Sequence, residues 1–111
     1  MLLCYDMELL EDKMRVWTNS AQYVKPNPGV YVLYNRSKDP IYIGDSNNLE
    51  KTFANYVDTE FNGDECKQKT SSYQRVFAKN PKEMQLRLIE NFKNETGSIP
   101  ICNSEIKLET H

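Results

Sequence analysis

Pro28-Gly29-Val30-Tyr31-Val32-Leu33-Tyr34 and, after a polar turn, Ile41-Tyr42-Ile43-Gly44-Asp45-Ser46-Asn47-Asn48-Leu49 carry the strongest local structure signals of the chain. Residues 30–34 are β-branched or aromatic almost throughout, which suits a strand. Residues 41–43 form a second short strand of the same kind. Only the polar segment Asn35 to Pro40 separates them, so the two strands are expected to pair as an antiparallel hairpin. Gly44 breaks the pattern, and Ser46 or Asn47 is placed to cap a helix. Leu49, Phe53, Tyr56 and Val57 then fall on one helical face.

Working outward, Pro26-Asn27-Pro28-Gly29 ends whatever precedes the hairpin in a turn. Before it, Met7, Leu10, Met14 and Trp17 recur at steps of three and four among charged residues. That spacing predicts an amphipathic helix over 5–17, with Trp17 in the core. Beyond the second helix, Asn62 to Ser72 is polar and reads as a loop. Tyr73 to Phe77 alternates and reads as a third strand. Asn80, Pro81 and Glu83 mark a helix start, and Leu86, Leu88, Ile89 and Phe92 give it apolar contacts. Gly97 ends that helix, with Pro100 beyond. Residues 104–111 read as a polar tail. The order helix, hairpin, helix, strand, helix is an α+β pattern: a three-stranded sheet with helices around it.

A length of 111 residues suits one domain. No apolar run approaches the ~20 residues that cross a bilayer, and residues 1–4 are too short for a signal-peptide core. The expectation is a cytoplasmic protein with no membrane partner. Cys4, Cys66 and Cys102 are widely spaced and form no CxxC pair; in that compartment they are expected to be reduced, although one disulfide is formally open to them. His111 is the only histidine, which argues against a zinc site. The net charge of −2 and pI of about 5.4 leave no global attraction to a polyanion, so nucleic acid would need a local basic patch.

Gly29-Val30-Tyr31, ten residues, then Tyr42-Ile43-Gly44 resembles the two signature triplets of the GIY-YIG nuclease superfamily. Glu90, Gly97, Pro100 and Asn103 resemble that family's closing block, so the resemblance runs from about Val24 to Asn103. It implies a core over 24–103 built on a small three-stranded antiparallel sheet flanked by helices. It also implies hydrolysis of nucleic-acid phosphodiesters, usually in DNA, with a divalent cation such as Mg²⁺ or Mn²⁺. By the resemblance Tyr31 and Tyr42 line the site, with Tyr31 a general base or an orienter of water. Glu90 holds the metal, and Asn103 supports the site on its substrate side.

The chain departs from the family at one telling place. Asn48-Leu49-Glu50-Lys51-Thr52 has Thr52 where the family's helix carries an arginine, and Asp45 follows the second triplet. An arginine there would offer a rigid, permanently charged fork for phosphate oxygens. Lys51, Arg75 and Arg36 are the candidates to take its place at the substrate. Three functions follow: a metal-dependent endonuclease, weakened or not; a non-catalytic module of the same fold that binds nucleic acid or a protein partner; or a regulator or structural subunit unrelated to nucleic acid.

Overall fold

In the computed structural model, residues 14–17 and 24–103 are described. Four strands form one sheet: β1 (Arg15–Val16), β2 (Gly29–Tyr34), β3 (Pro40–Ser46) and β4 (Ser72–Phe77). Their spatial order is β1-β4-β2-β3, and every pairing is antiparallel. Among the described residues two longer helices flank the sheet, α1 (Leu49–Thr59) and α2 (Pro81–Thr96), with short 3-10 turns at Phe61–Gly63 and Lys67–Lys69.

The sheet has four strands where three are expected from the sequence. Arg15 and Val16 pair with Tyr73 and Ser72, so the expected helix over 5–17 does not continue through them. The Trp17 amide extends the ladder by donating to Ser71 O at 3.0 Å. Met14 and Trp17 recur at a helical step, but a sheet edge took precedence over that spacing. The rest of the expected helix and the tail over 104–111 lie outside the described residues.

Strand β2 lies between β3 and β4 and is buried at all six positions. That explains its near-continuous apolar text, because both faces of a central strand meet a packed layer. On one face Tyr31, Leu33, Tyr42 and Tyr73 join Trp17 and the α1 residues Leu49, Phe53 and Tyr56. On the other, Val30, Val32, Tyr34 and Ile43 pack against Leu88 of α2, with Met84, Ile89 and Phe92 beside it. The sheet is thus a three-layer structure whose two helices sit on opposite faces.

The helix ends follow local chemistry. Asn48, rather than Ser46 or Asn47, is the N-cap of α1, its Oδ1 accepting from Lys51 N at 3.1 Å. Pro81 opens α2, and Gly97 closes it in the left-handed region at φ 91°. After α1 the chain does something less ordinary. Glu60, Phe61, Asn62 and Gly63 all have positive φ, from 52° to 75°. Left-handed backbone costs roughly 1–2 kcal/mol per non-glycine residue. Phe61 is nevertheless buried, its ring 5.0 Å from Trp17 and 4.9 Å from Tyr56, and that packing offsets the strain.

The expectation of reduced thiols is corrected for one pair: Cys66 and Cys102 form a disulfide with Cα atoms 5.7 Å apart. The chain that leaves α2 returns to the β3 edge and meets the loop that follows α1, which no linear spacing reveals. The bond closes a sequence separation of 36 residues. A cross-link of that span stabilises by about 2–4 kcal/mol, largely through the unfolded chain. Chemical denaturation with and without a thiol reductant is expected to show a loss of that size, and Cys66→Ser with Cys102→Ser should lose the reductant dependence. Equal stability in both conditions would contradict the cross-link.

Candidate functional site

The site begins with a missing side chain. Gly44 lies opposite Tyr31 in the β2–β3 ladder. A Cβ on Gly44 would stand 2.5 Å from the Tyr31 hydroxyl and 2.6 Å from the Tyr42 ring. Only glycine leaves room for both phenols there. Gly29 is a close approach of the same kind: its Cβ would meet Val76 O at 2.3 Å and Leu49 Cδ1 at 2.8 Å. The two glycines of the sequence triplets are therefore packing requirements, one seating α1 on the sheet and the other seating the tyrosines.

Tyr31 and Tyr42 come together with ring centres 6.0 Å apart. Tyr56 of α1, assigned to a core face in the sequence, supplies a third phenol. Its hydroxyl is 2.6 Å from that of Tyr31. Lys67, from the turn after α1, completes the group. Its ammonium is 3.5 Å from the Tyr56 hydroxyl and 4.1 Å above the Tyr42 ring. Tyr56 and Lys67 are the residues the sequence reading missed. Tyr56 does stand three residues after Phe53 on the stripe facing the sheet, but Lys67 had no local signal at all.

Tyr31 and Tyr42 hold their protons. Burial pushes Tyr31 well above its ordinary value of 10.0, and the neighbouring Tyr56 and Tyr42, then Asp45, push in the same direction. Burial also raises Tyr42, reinforced by Tyr56, Asp45 and Asp64 and opposed by its contact with Tyr31. At neutral pH these hydroxyls donate and accept hydrogen bonds; they are not phenolates.

The other expected site residues scatter. Asn103 is buried, and both ends of its amide are taken by one residue: Oδ1 accepts from Ile43 N at 2.8 Å and Nδ2 donates to Ile43 O at 3.0 Å. Gln85 Nε2 donates to the same carbonyl at 2.9 Å. Because β3 is an edge strand, these side chains stand in for a missing neighbouring strand and fix the segment beside Tyr42. Arg75 lies opposite Tyr31 in the β2–β4 ladder, with its guanidinium 4.7 Å from the Phe77 ring. Lys51 is exposed on α1. Thr52 is linked by its hydroxyl to Ser46 Oγ at 2.6 Å, so this position contributes a neutral contact. Asp45 pairs with Lys82 at 3.6 Å.

Glu90 is exposed on α2, the helix packed on the sheet face opposite the phenols. Among the described residues, no three His, Cys, Asp or Glu side chains gather as a metal cage. Mg²⁺ often takes only one or two carboxylates and keeps several waters. Among the described residues Glu90 stands alone and on the far side of the sheet, so they do not build a cation site beside the phenols. A separate cleft of about 520 Å³ beside the β2–β3 turn is lined in part by Arg36, Lys69, Thr70 and Ser71.

No family model matches the sequence, and no curated protein matches it either. Solved structures do. The magnesium-bound GIY-YIG N-terminal endonuclease domain of UvrC from Thermotoga maritima superposes with a TM-score of 0.55 at 19% identity, over 74% of this chain and 91% of that one. A point mutant of that domain, bound to its catalytic divalent cation, superposes equally well, at 19% identity over 74% and 90%. The chain therefore has a GIY-YIG-like fold. Among the described residues no helix is long and apolar enough to cross a membrane.

The raised phenol pKa values have a measurable consequence. Above pH 10 the unfolded chain gives up tyrosine protons that the native chain keeps, so stability is whole below that pH and falls as pH rises beyond it. Thermal melts from pH 8 to 11 should show that fall, and Tyr42→Phe should make it shallower. An identical slope in the two proteins would contradict the buried, protonated phenols.

Proposed function

We propose that this chain is a GIY-YIG-type phosphodiester hydrolase that uses a divalent cation and cuts nucleic acid, DNA in the first place. The observation that carries the reading is the cluster of three phenols at Gly44, with the Tyr31 and Tyr56 hydroxyls in direct contact, on a fold shared with a nuclease domain. Protonated Tyr31 and Tyr42 would position water and phosphate through hydrogen bonds, which replaces the general-base role implied for Tyr31 by resemblance. The resemblance gives Mg²⁺ or Mn²⁺ to Glu90, but that carboxylate is exposed on the helix behind the sheet, so no step at the phenols is routed through it. Asn103 would act on β3, holding Tyr42 in place, and would not touch substrate itself.

A second reading rests on a specific observation: Thr52 carries no charge and is tied to Ser46. Removing one preorganised electrostatic partner of a transition state costs ~10²–10³ in rate. A chain of this kind can keep the fold as a non-catalytic module for nucleic acid or a protein. A cytoplasmic setting, the expectation from sequence, would make the Cys66–Cys102 bond responsive to the cell's redox state, because such bonds are otherwise rare there.

Supercoiled plasmid incubated with Mg²⁺ or Mn²⁺ separates the two. The nuclease reading expects metal-dependent nicking that falls about 10²-fold or more in Tyr31→Phe. A folded wild-type protein that never nicks, yet binds DNA at low salt, would establish the module instead.

A further inference from the structure

Lys67 is an unusual lysine. Its side chain is only 12% exposed, and its nearest acid, Asp64, stands at 4.0 Å, the limit of an ion pair. Its ammonium lies over the Tyr42 and Tyr56 rings, 4.1 and 5.3 Å from their centres, and 3.5 Å from the Tyr56 hydroxyl. Lysine is seldom withdrawn from water without a close counter-charge. Aromatic faces and one loosely placed carboxylate hold this one.

It is also held with unusual care. Asp64 Oδ1 accepts from both Cys66 N and Lys67 N, at 2.9 and 3.3 Å, and the Thr70 hydroxyl donates to Lys67 O at 2.7 Å. The Cys66–Cys102 disulfide begins one residue before Lys67, and its far end is one residue before Asn103, which is bound to Ile43 beside Tyr42. Lys67 and Tyr42 are thereby referenced to the same edge strand through a covalent link. The turn has a left-handed run leading into it that costs backbone energy, and sites that need one fixed geometry are where such strain persists.

Given the hydrolase reading on which this rests, we infer that Lys67 meets the substrate phosphate among the tyrosine hydroxyls, supplying the charge that Thr52 does not. Asp64 stands at the limit of an ion pair, so the ammonium can take a phosphate oxygen as a second counter-charge, and the phenols beside it offer hydroxyls to the remaining oxygens. Lys51 is exposed on the outer side of α1, and Arg75, opposite Tyr31 on β4, has its guanidinium engaged over the Phe77 ring.

The test compares wild type, Lys67→Gln and Lys67→Arg in plasmid nicking and in salt-dependent binding of a short DNA oligonucleotide. Lys67→Gln should nick at least ~10²-fold more slowly and lower the slope of log binding constant against log salt by about 1. Lys67→Arg, which keeps the charge and the stem over the rings, should restore the slope and much of the rate. Nicking by Lys67→Gln at the wild-type rate would overturn the assignment while leaving the hydrolase reading intact. If wild type binds but never nicks, the hydrolase reading fails; a slope lowered in Lys67→Gln and restored in Lys67→Arg still supports the phosphate contact, and an unchanged slope overturns it. A wild type that neither nicks nor binds removes both.

Discussion

The approach of the Tyr31 phenol to Gly44 across the β2–β3 ladder is the contact on which the rest of the site depends. Any side chain at Gly44 would occupy the space of two tyrosines. With the space open, Tyr31 lies edge-on to Phe53 at 5.2 Å and reaches the hydroxyl of Tyr56, so α1 is keyed to the sheet by the same ring that forms the site. Leu49, seated against Gly29, anchors the other end of that key. Fold and site share these atoms, and a change that moves the phenols also moves the helix.

The electrostatic character of the site follows from that burial. Tyr31 and Tyr42, buried among rings and close to Asp45, keep their protons and present neutral hydroxyls. Neutral hydroxyls cannot by themselves balance the charge of a phosphodiester, which makes the position of any cation decisive. The helix position at Thr52 offers none. The nearest described ammonium comes instead from the turn after α1, where a disulfide and an Asp64-bound turn limit its movement.

Strands β2, β3 and β4, both helices and the partnership of Tyr31 with Tyr42 were legible because each rests on local pattern: apolar runs, a short polar turn, capping residues and paired triplets. What was illegible depends on distant chain segments. The strand at Arg15–Val16 exists only because β4 offers it an edge. The disulfide and the role of Asn103 arise where the chain after α2 returns to β3. Lys67 lies in a polar loop whose left-handed entry, signalled weakly by Asn62-Gly63, reverses the chain beneath the tyrosines. Tyr56 lay on the assigned core face, of which Val57 proves exposed, and periodicity cannot tell a packed ring from one whose hydroxyl is in use.

The central claim is that the tyrosine cluster receives a phosphodiester. A ¹⁵N-labelled NMR titration with a short DNA oligonucleotide tests it most directly, since it needs no turnover. The account predicts saturable amide shifts centred on Tyr31, Gly44, Tyr56 and Lys67 that weaken as salt is raised. Shifts confined to Arg36 and Lys69 at the other cleft, or no shifts at low salt, would contradict it.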